Sequence, residues 1–221
     1  MKFQTALVAH HVRAQSMAMR HTPSVFHELT HESDVLGNIG QDEPVAEAYP
    51  EVYYSVRIDD DYHHVFYGFY HARDCSHRHD FEGVQYSVPH KGDEIIAMAR
   101  SHFNIKAWVL HPYSRNLILI RGSGHSIRRA NEGEPRGGNM IFYDRHNFSL
   151  KNMHTDSGKI EKQVRSMGNA VMHPEQWRDV KIDKRKAWLR ANYKTSSTRG
   201  LFWLRPTQLI HIYTSLKLIE P

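Results

Sequence analysis

Two runs rich in aromatic and β-branched residues, Val52 to Ile58 and His64 to His71, flank the cluster Asp59-Asp60-Asp61. Side chains of that kind fit a pleated, half-buried surface, and the aspartates between them read as a turn, so the segment predicts a β-hairpin. The hairpin commits the middle of the chain to sheet, and strand signals continue beyond it. Phe81 to Val88 ends at Pro89 and Lys106 to His111 ends at Pro112; Asn116 to Arg121 and Met140 to Tyr143 follow. Proline cannot donate to a ladder and therefore marks strand ends. Between the third and fourth strands, Gly92 to His102 predicts a short crossover helix with Ile95, Ile96, Met98 and Ala99 as its apolar side. Gly122 to Asn139 reads as a glycine-rich loop.

With 221 residues, 40% of them hydrophobic, the chain can bury a sizeable core, and sandwiches of this length form single units. The expected architecture is mainly β: one domain over residues 1–221, a β-sandwich with peripheral helices. One of these is a C-terminal amphipathic helix over Pro174 to Tyr193. There Trp177, Val180, Ala187, Trp188 and Ala191 recur at helical spacing, with Lys181, Lys184, Arg185, Lys186 and Arg190 on the remaining surface. Leu201 to Leu204 and Leu209 to Leu216 are compatible with strand or helix. The single Cys75 excludes an intrachain disulfide. The apolar run after Met1-Lys2 is broken by His10, His11 and Arg13 before a cleavage site, so a reducing, cytoplasmic setting is the default expectation. No run of about eighteen apolar residues predicts a membrane span. The net charge of +5 admits anionic partners, nucleic acid among them, but the basic residues are scattered until the last third, and a solvated helix face explains that cluster more simply.

Chemistry concentrates in Asp74-Cys75-Ser76-His77-Arg78-His79-Asp80-Phe81-Glu82-Gly83. On a strand Asp80 and Glu82 point to one face, and Asp74 and His77 can reach them from the preceding loop. Three carboxylates and one imidazole make a mostly oxygen-donor set, suited to Ca²⁺, Mg²⁺ or Mn²⁺ rather than structural zinc. His79 is placed either to face the core or to orient a ligating carboxylate. His125, flanked by Gly124 and Ser126 in a segment where backbone can approach a ligand, is a further candidate. No dedicated base accompanies Cys75, which reads as packed or metal-adjacent rather than nucleophilic.

The run Tyr67-Gly68-Phe69-Tyr70-His71-Ala72-Arg73-Asp74, followed by His77-Arg78-His79-Asp80-Phe81-Glu82, resembles the signature of the necrosis-inducing cytolysin family, and Ser123-Gly124-His125 is similar to its second short motif. The resemblance covers about Val52 to His125. It implies a sandwich fold and a divalent cation surrounded by Asp74, His77, Asp80 and Glu82. It implies binding to a glycan or lipid headgroup, and it would imply secretion. The chain departs from the pattern at Ser76, at Phe81 and in the short loop between Asp74 and His77, and it lacks the family's disulfide.

Two other functions compete with binding. The same ion could lower the pKa of a bound water for hydrolysis, as in a phosphoesterase or nuclease, with His125 or His79 carrying the proton. Alternatively, His27-Glu28-Leu29-Thr30-His31 fits the H-E-x-x-H pattern of zinc peptidases, which requires both histidines on one face of a helix. Against that, little chain precedes it, and the nearest third carboxylate, Glu47, is bracketed by Pro44 and Pro50.

Overall fold

The computed structural model describes residues 2–32, 34–41, 43, 45–58, 62–73, 78–101, 104–111, 114–122, 124–131, 133 and 139–153. The described elements, in chain order, begin with helix α1 (Lys2–His21), followed by β1 (Ser24–Glu28), β2 (Glu51–Ile58), β3 (Tyr62–Arg73), β4 (Arg78–Pro89) and β5 (Ile95–Ser101). β6 (Asn104–Leu110), β7 (Leu117–Arg121), β8 (Ser126–Arg129), β9 (Met140–Tyr143), a 3₁₀ turn (Arg145–Asn147) and β10 (Ser149–Asn152) complete them. They form a four-stranded sheet, β8-β7-β1-β9, packed on a six-stranded sheet, β10-β2-β3-β4-β5-β6. The mainly β, sandwich-type expectation holds, with α1 at the periphery.

The centre of the large sheet is the hairpin of β3 and β4, in which Val65 faces Tyr86, Tyr67 faces Val84, Phe69 faces Glu82 and His71 faces Asp80. Because opposed residues share a face, these eight side chains all point toward the small sheet. Val25, Ile118, Ile120 and Ile127 meet them there in one buried core. The opposite face carries Tyr53, Phe66, Tyr70 and Phe81 and is also buried, under the segment that follows Leu36. Gly37 N–H donates to the Tyr70 carbonyl, Ile39 N–H to the Tyr53 hydroxyl, and the Tyr70 hydroxyl to the Gln41 carbonyl. A strand buried on both sides reads as an unbroken aromatic run, as β3 does.

Two expectations fail here, for related reasons. Gly92 to His102 is not a helix: Ile95–Ser101 is a strand between β4 and β6, and Ile96, Ala97, Met98 and Ala99 are all buried. A short apolar run covered on both faces has no period that separates strand from helix. The loop expected from Gly122 to Asn139 contains β8, an antiparallel neighbour of β7. The amphipathic segment 174–193 and the two ambiguous segments after residue 200 lie outside the described residues. No helix among the described residues is long and apolar enough to cross a membrane.

Candidate functional site

At the end of the sandwich where β3 passes to β4, the inner face changes from apolar to ionisable. β3 contributes His71, β4 contributes Asp80 and Glu82, and β1 brings His27 from the facing sheet; all four are buried. The tight turn from β7 to β8 adds His125, and the segment after β1 adds Asp34, also buried. Strand alternation explains the selection: His27 follows Val25 by two residues, and Asp80 and Glu82 continue the face of Val84 and Tyr86.

His125 is the organising residue. Its Nδ1 lies 2.7 Å from Asp80 Oδ2 and its Nε2 lies 3.6 Å from Asp34 Oδ1. Asp34 is itself held in place, its Oδ2 accepting from Thr30 N, Thr30 Oγ1 and His31 N. The His125 backbone is left-handed, with φ of 41°. That region is uncommon for a side-chain-bearing residue and persists only where the surroundings hold it, here through the buried carboxylate. The His71 ring stacks on His125 at 3.6 Å between centroids and 2° between planes.

His71 in turn meets His27, with 2.9 Å between the two Nε2 atoms. One ring must donate and the other accept, so two neutral rings are bonded only when one carries its proton on Nε2 and the other on Nδ1. Burial, then the charge on His125, lowers the His27 pKa to about 3, with Asp34 opposing. Burial, then His125 and His27, hold His71 well below its ordinary value. The remaining Nδ1 atoms of both rings are buried without a hydrogen-bond partner. The unfolded chain therefore takes up protons near the ordinary value of 6.5 that the folded chain refuses, and stability falls as pH drops from there toward about 3. Each ring contributes up to ~1.4 kcal/mol per pH unit within that window. Urea denaturation at pH 7 and at pH 5 should show the loss, and a His27→Gln variant should show a shallower pH dependence.

Of the residues singled out in the sequence, the fold brings Asp80 and His125 into direct contact and puts Glu82 on the same face as Asp80. Asp74 and His77 lie outside the described residues, and for His79 only the strand backbone is described. The peptidase reading is overturned. His27 and Glu28 sit on a strand, not a helix, so His27 turns into the core, Glu28 turns out to pair with Arg121 at 3.3 Å, and His31 is exposed in the segment beyond. His71 and Asp34 escaped sequence reasoning. For His71 a signal existed: it continues the face of Val65, Tyr67 and Phe69 along the aromatic run, and the observed register sets it opposite Asp80.

A two-sheet sandwich with a histidine and carboxylate cluster at one end of its interior has the fold of the necrosis-inducing protein toxins. Among solved structures the chain is similar to NLPPya in complex with glucosamine, with a TM-score of 0.50 and 15% identity over 75% of this chain and 87% of that one. It also matches the necrosis and ethylene inducing protein 2 from the causal agent of cocoa's witches' broom disease, at a TM-score of 0.46 and 12% identity over 69% of this chain and 81% of that one. No protein-family model and no curated protein matches the sequence. The relationship to these toxins is remote and is one of fold.

Proposed function

We propose that this protein binds a hydroxyl-rich ligand, a glycan or a lipid headgroup, through a divalent cation held by Asp80 and Glu82, with Asp74 and His77, which precede them in sequence, completing the set. The observation that carries the reading is the burial of both Asp80 and Glu82 on one face of β4, each only 2% exposed. Asp80 is met by His125, yet two carboxylates two residues apart on one interior face repel each other, and a divalent cation would offset that charge. The neighbouring fold supports the ligand class, since NLPPya has been solved with glucosamine.

The donors fit a divalent ion in kind. One ligating atom each from His71, Asp80 and His125 lies within 4.8 Å of the others. Parallel rings 3.6 Å apart cannot both aim in-plane lone pairs at one point, so one imidazole at most joins the carboxylates without turning. A single imidazole with carboxylates favours Mn²⁺, Ca²⁺ or Mg²⁺; recruitment of the second would move the preference toward zinc. When bound, the ion would supply an electrostatic anchor for paired hydroxyls. The chain's own contribution is orientation: His125 fixes Asp80, and Asp34 fixes His125. Hydrolysis stands behind binding, because His125 is fully buried and has both nitrogens directed at carboxylates.

Calorimetric titration of metal-free protein with Ca²⁺, Mg²⁺, Mn²⁺ and Zn²⁺ tests the reading, repeated on Glu82→Gln with a thermal melt to confirm folding. Cation binding that Glu82→Gln weakens, and glucosamine binding that chelator abolishes, are the expected results. Absence of cation binding, or binding indifferent to Glu82, would show that the cluster is a structural network.

A further inference from the structure

Three imidazoles meet beside Asp80, and they are not equivalent. His125 has both nitrogens turned to carboxylates, Nδ1 at 2.7 Å from Asp80 Oδ2 and Nε2 at 3.6 Å from Asp34 Oδ1. His71 stands opposite Asp80 across the ladder of β3 and β4, where facing side chains are neighbours. One of its ring nitrogens lies within 4.8 Å of both an Asp80 carboxylate oxygen and a His125 nitrogen. Its Nε2 is 2.9 Å from Nε2 of His27, which β1 brings from the facing sheet. The nitrogen left to His71 is Nδ1, which is buried and has no hydrogen-bond partner among the described residues.

Such a pair is an unfavourable way to fill a core. Two neutral imidazoles joined Nε2 to Nε2 leave one N–H and one lone pair on their Nδ1 atoms, and buried polar groups left unmet cost stability that two apolar rings would not. The two arrangements of the pair differ in what they offer. If His27 donates, His71 carries its proton on Nδ1 and has no open lone pair there. If His71 donates, its proton is on Nε2 and the Nδ1 lone pair is available. The second is the form in which a histidine ligates through one nitrogen while a neighbour holds its other N–H.

Resting on the cation reading above, we propose that His71 is a further ligand to that ion through Nδ1, and that His27 is a positioning residue that accepts from His71 Nε2–H and so fixes the ligating tautomer. His125 does not compete for this role, because its nitrogens face Asp80 and Asp34, and the parallel stacking of the two rings at 3.6 Å leaves room for one imidazole to face the ion. An imidazole added to Asp80 and Glu82 favours zinc more than calcium, which takes oxygen ligands.

The experiment is calorimetric titration of the metal-free full chain with Zn²⁺ and Ca²⁺, on the wild type and on His71→Phe, His27→Phe, His27→Gln and Glu82→Gln, each checked by a thermal melt. His71→Phe should weaken Zn²⁺ binding at least about tenfold and Ca²⁺ binding less. His27→Phe removes the acceptor but no ligand and should weaken Zn²⁺ binding about tenfold, as loss of such a partner does. His27→Gln, whose side-chain carbonyl can accept in place of Nε2, should recover most of it. In wild-type protein labelled with ¹⁵N-histidine, zinc should shift the His71 Nδ1 resonance and leave Nε2 protonated, a readout that needs no variant to fold. Zinc shifting Nε2 or neither nitrogen of His71, or Zn²⁺ affinity that falls in Glu82→Gln but not in His71→Phe, would overturn the inference and leave the cation reading standing. Equal losses in His27→Phe and His27→Gln would overturn the role of His27. A wild-type chain that binds neither ion would remove both readings.

Discussion

Asp80→Ala is expected to lower stability by at least about 1–3 kcal/mol, the cost of leaving a buried hydrogen-bonding partner unmet, and by more when His125 carries a second proton. His125 would lose its 2.7 Å contact, with Asp34 remaining at 3.6 Å, and its left-handed backbone would lose a contact that helps to hold it. Against a total of about 5–15 kcal/mol for a domain, the variant should unfold at much lower urea concentration. Asp80→Asn keeps the shape and a hydrogen-bond acceptor, so it should recover part of the loss. A double-mutant cycle with His125→Gln measures the coupling directly, and an interaction energy near zero would show that the two residues stabilise the fold independently.

Gly83→Val should be at least as damaging. Gly68 and Gly83 face each other across β3 and β4. A Cβ at Gly83 would come within 2.3 Å of the Phe66 ring and 2.9 Å of the Tyr67 carbonyl oxygen, and one at Gly68 within 2.1 Å of the Phe81 ring. The two phenylalanines lie over the two glycines, covering backbone that has no side chain of its own. Phe81 belongs to the buried cluster on the outer face, and the Tyr67 carbonyl is part of the ladder, so neither gives way cheaply. Overpacking of this kind costs about 1–3 kcal/mol even where rings can shift, and more where backbone is the obstacle. Thermal melts of Gly83→Ala and Gly83→Val should fall in that order; a wild-type melt for Gly83→Ala would mean that the hairpin can slide or splay at this point.

Much of the large sheet was legible because its signals are local. The hairpin over residues 52–71 and the strand 81–88 emerge with ends displaced by only a few residues, since alternation, aromatic content and terminal proline act within each segment. The helix expected over 92–102 failed where burial on both faces removes the period. The peptidase motif failed for a different reason. Its spacing is meaningful only on a helix, and Ser24–Glu28 is drawn into strand by pairing with Leu117–Ile120 on one side and Met140–Tyr143 on the other.

The same division runs through the candidate site. By itself the amino-acid order determined that Asp80 and Glu82 share a face, because period-two alternation is a property of contiguous chain, whereas the position of His71 opposite Asp80 depends on the register in which β3 pairs with β4. Only the tertiary structure decided that His27, Asp34 and His125 would join them. Those residues come from elements as far apart in sequence as His27 and His125, and nothing in their own neighbourhoods specifies the meeting. It is the hydrophobic closure of one sheet over the other, through Val25, Ile118, Ile120 and Ile127, that removes water from this end and turns scattered polar residues into one coupled group.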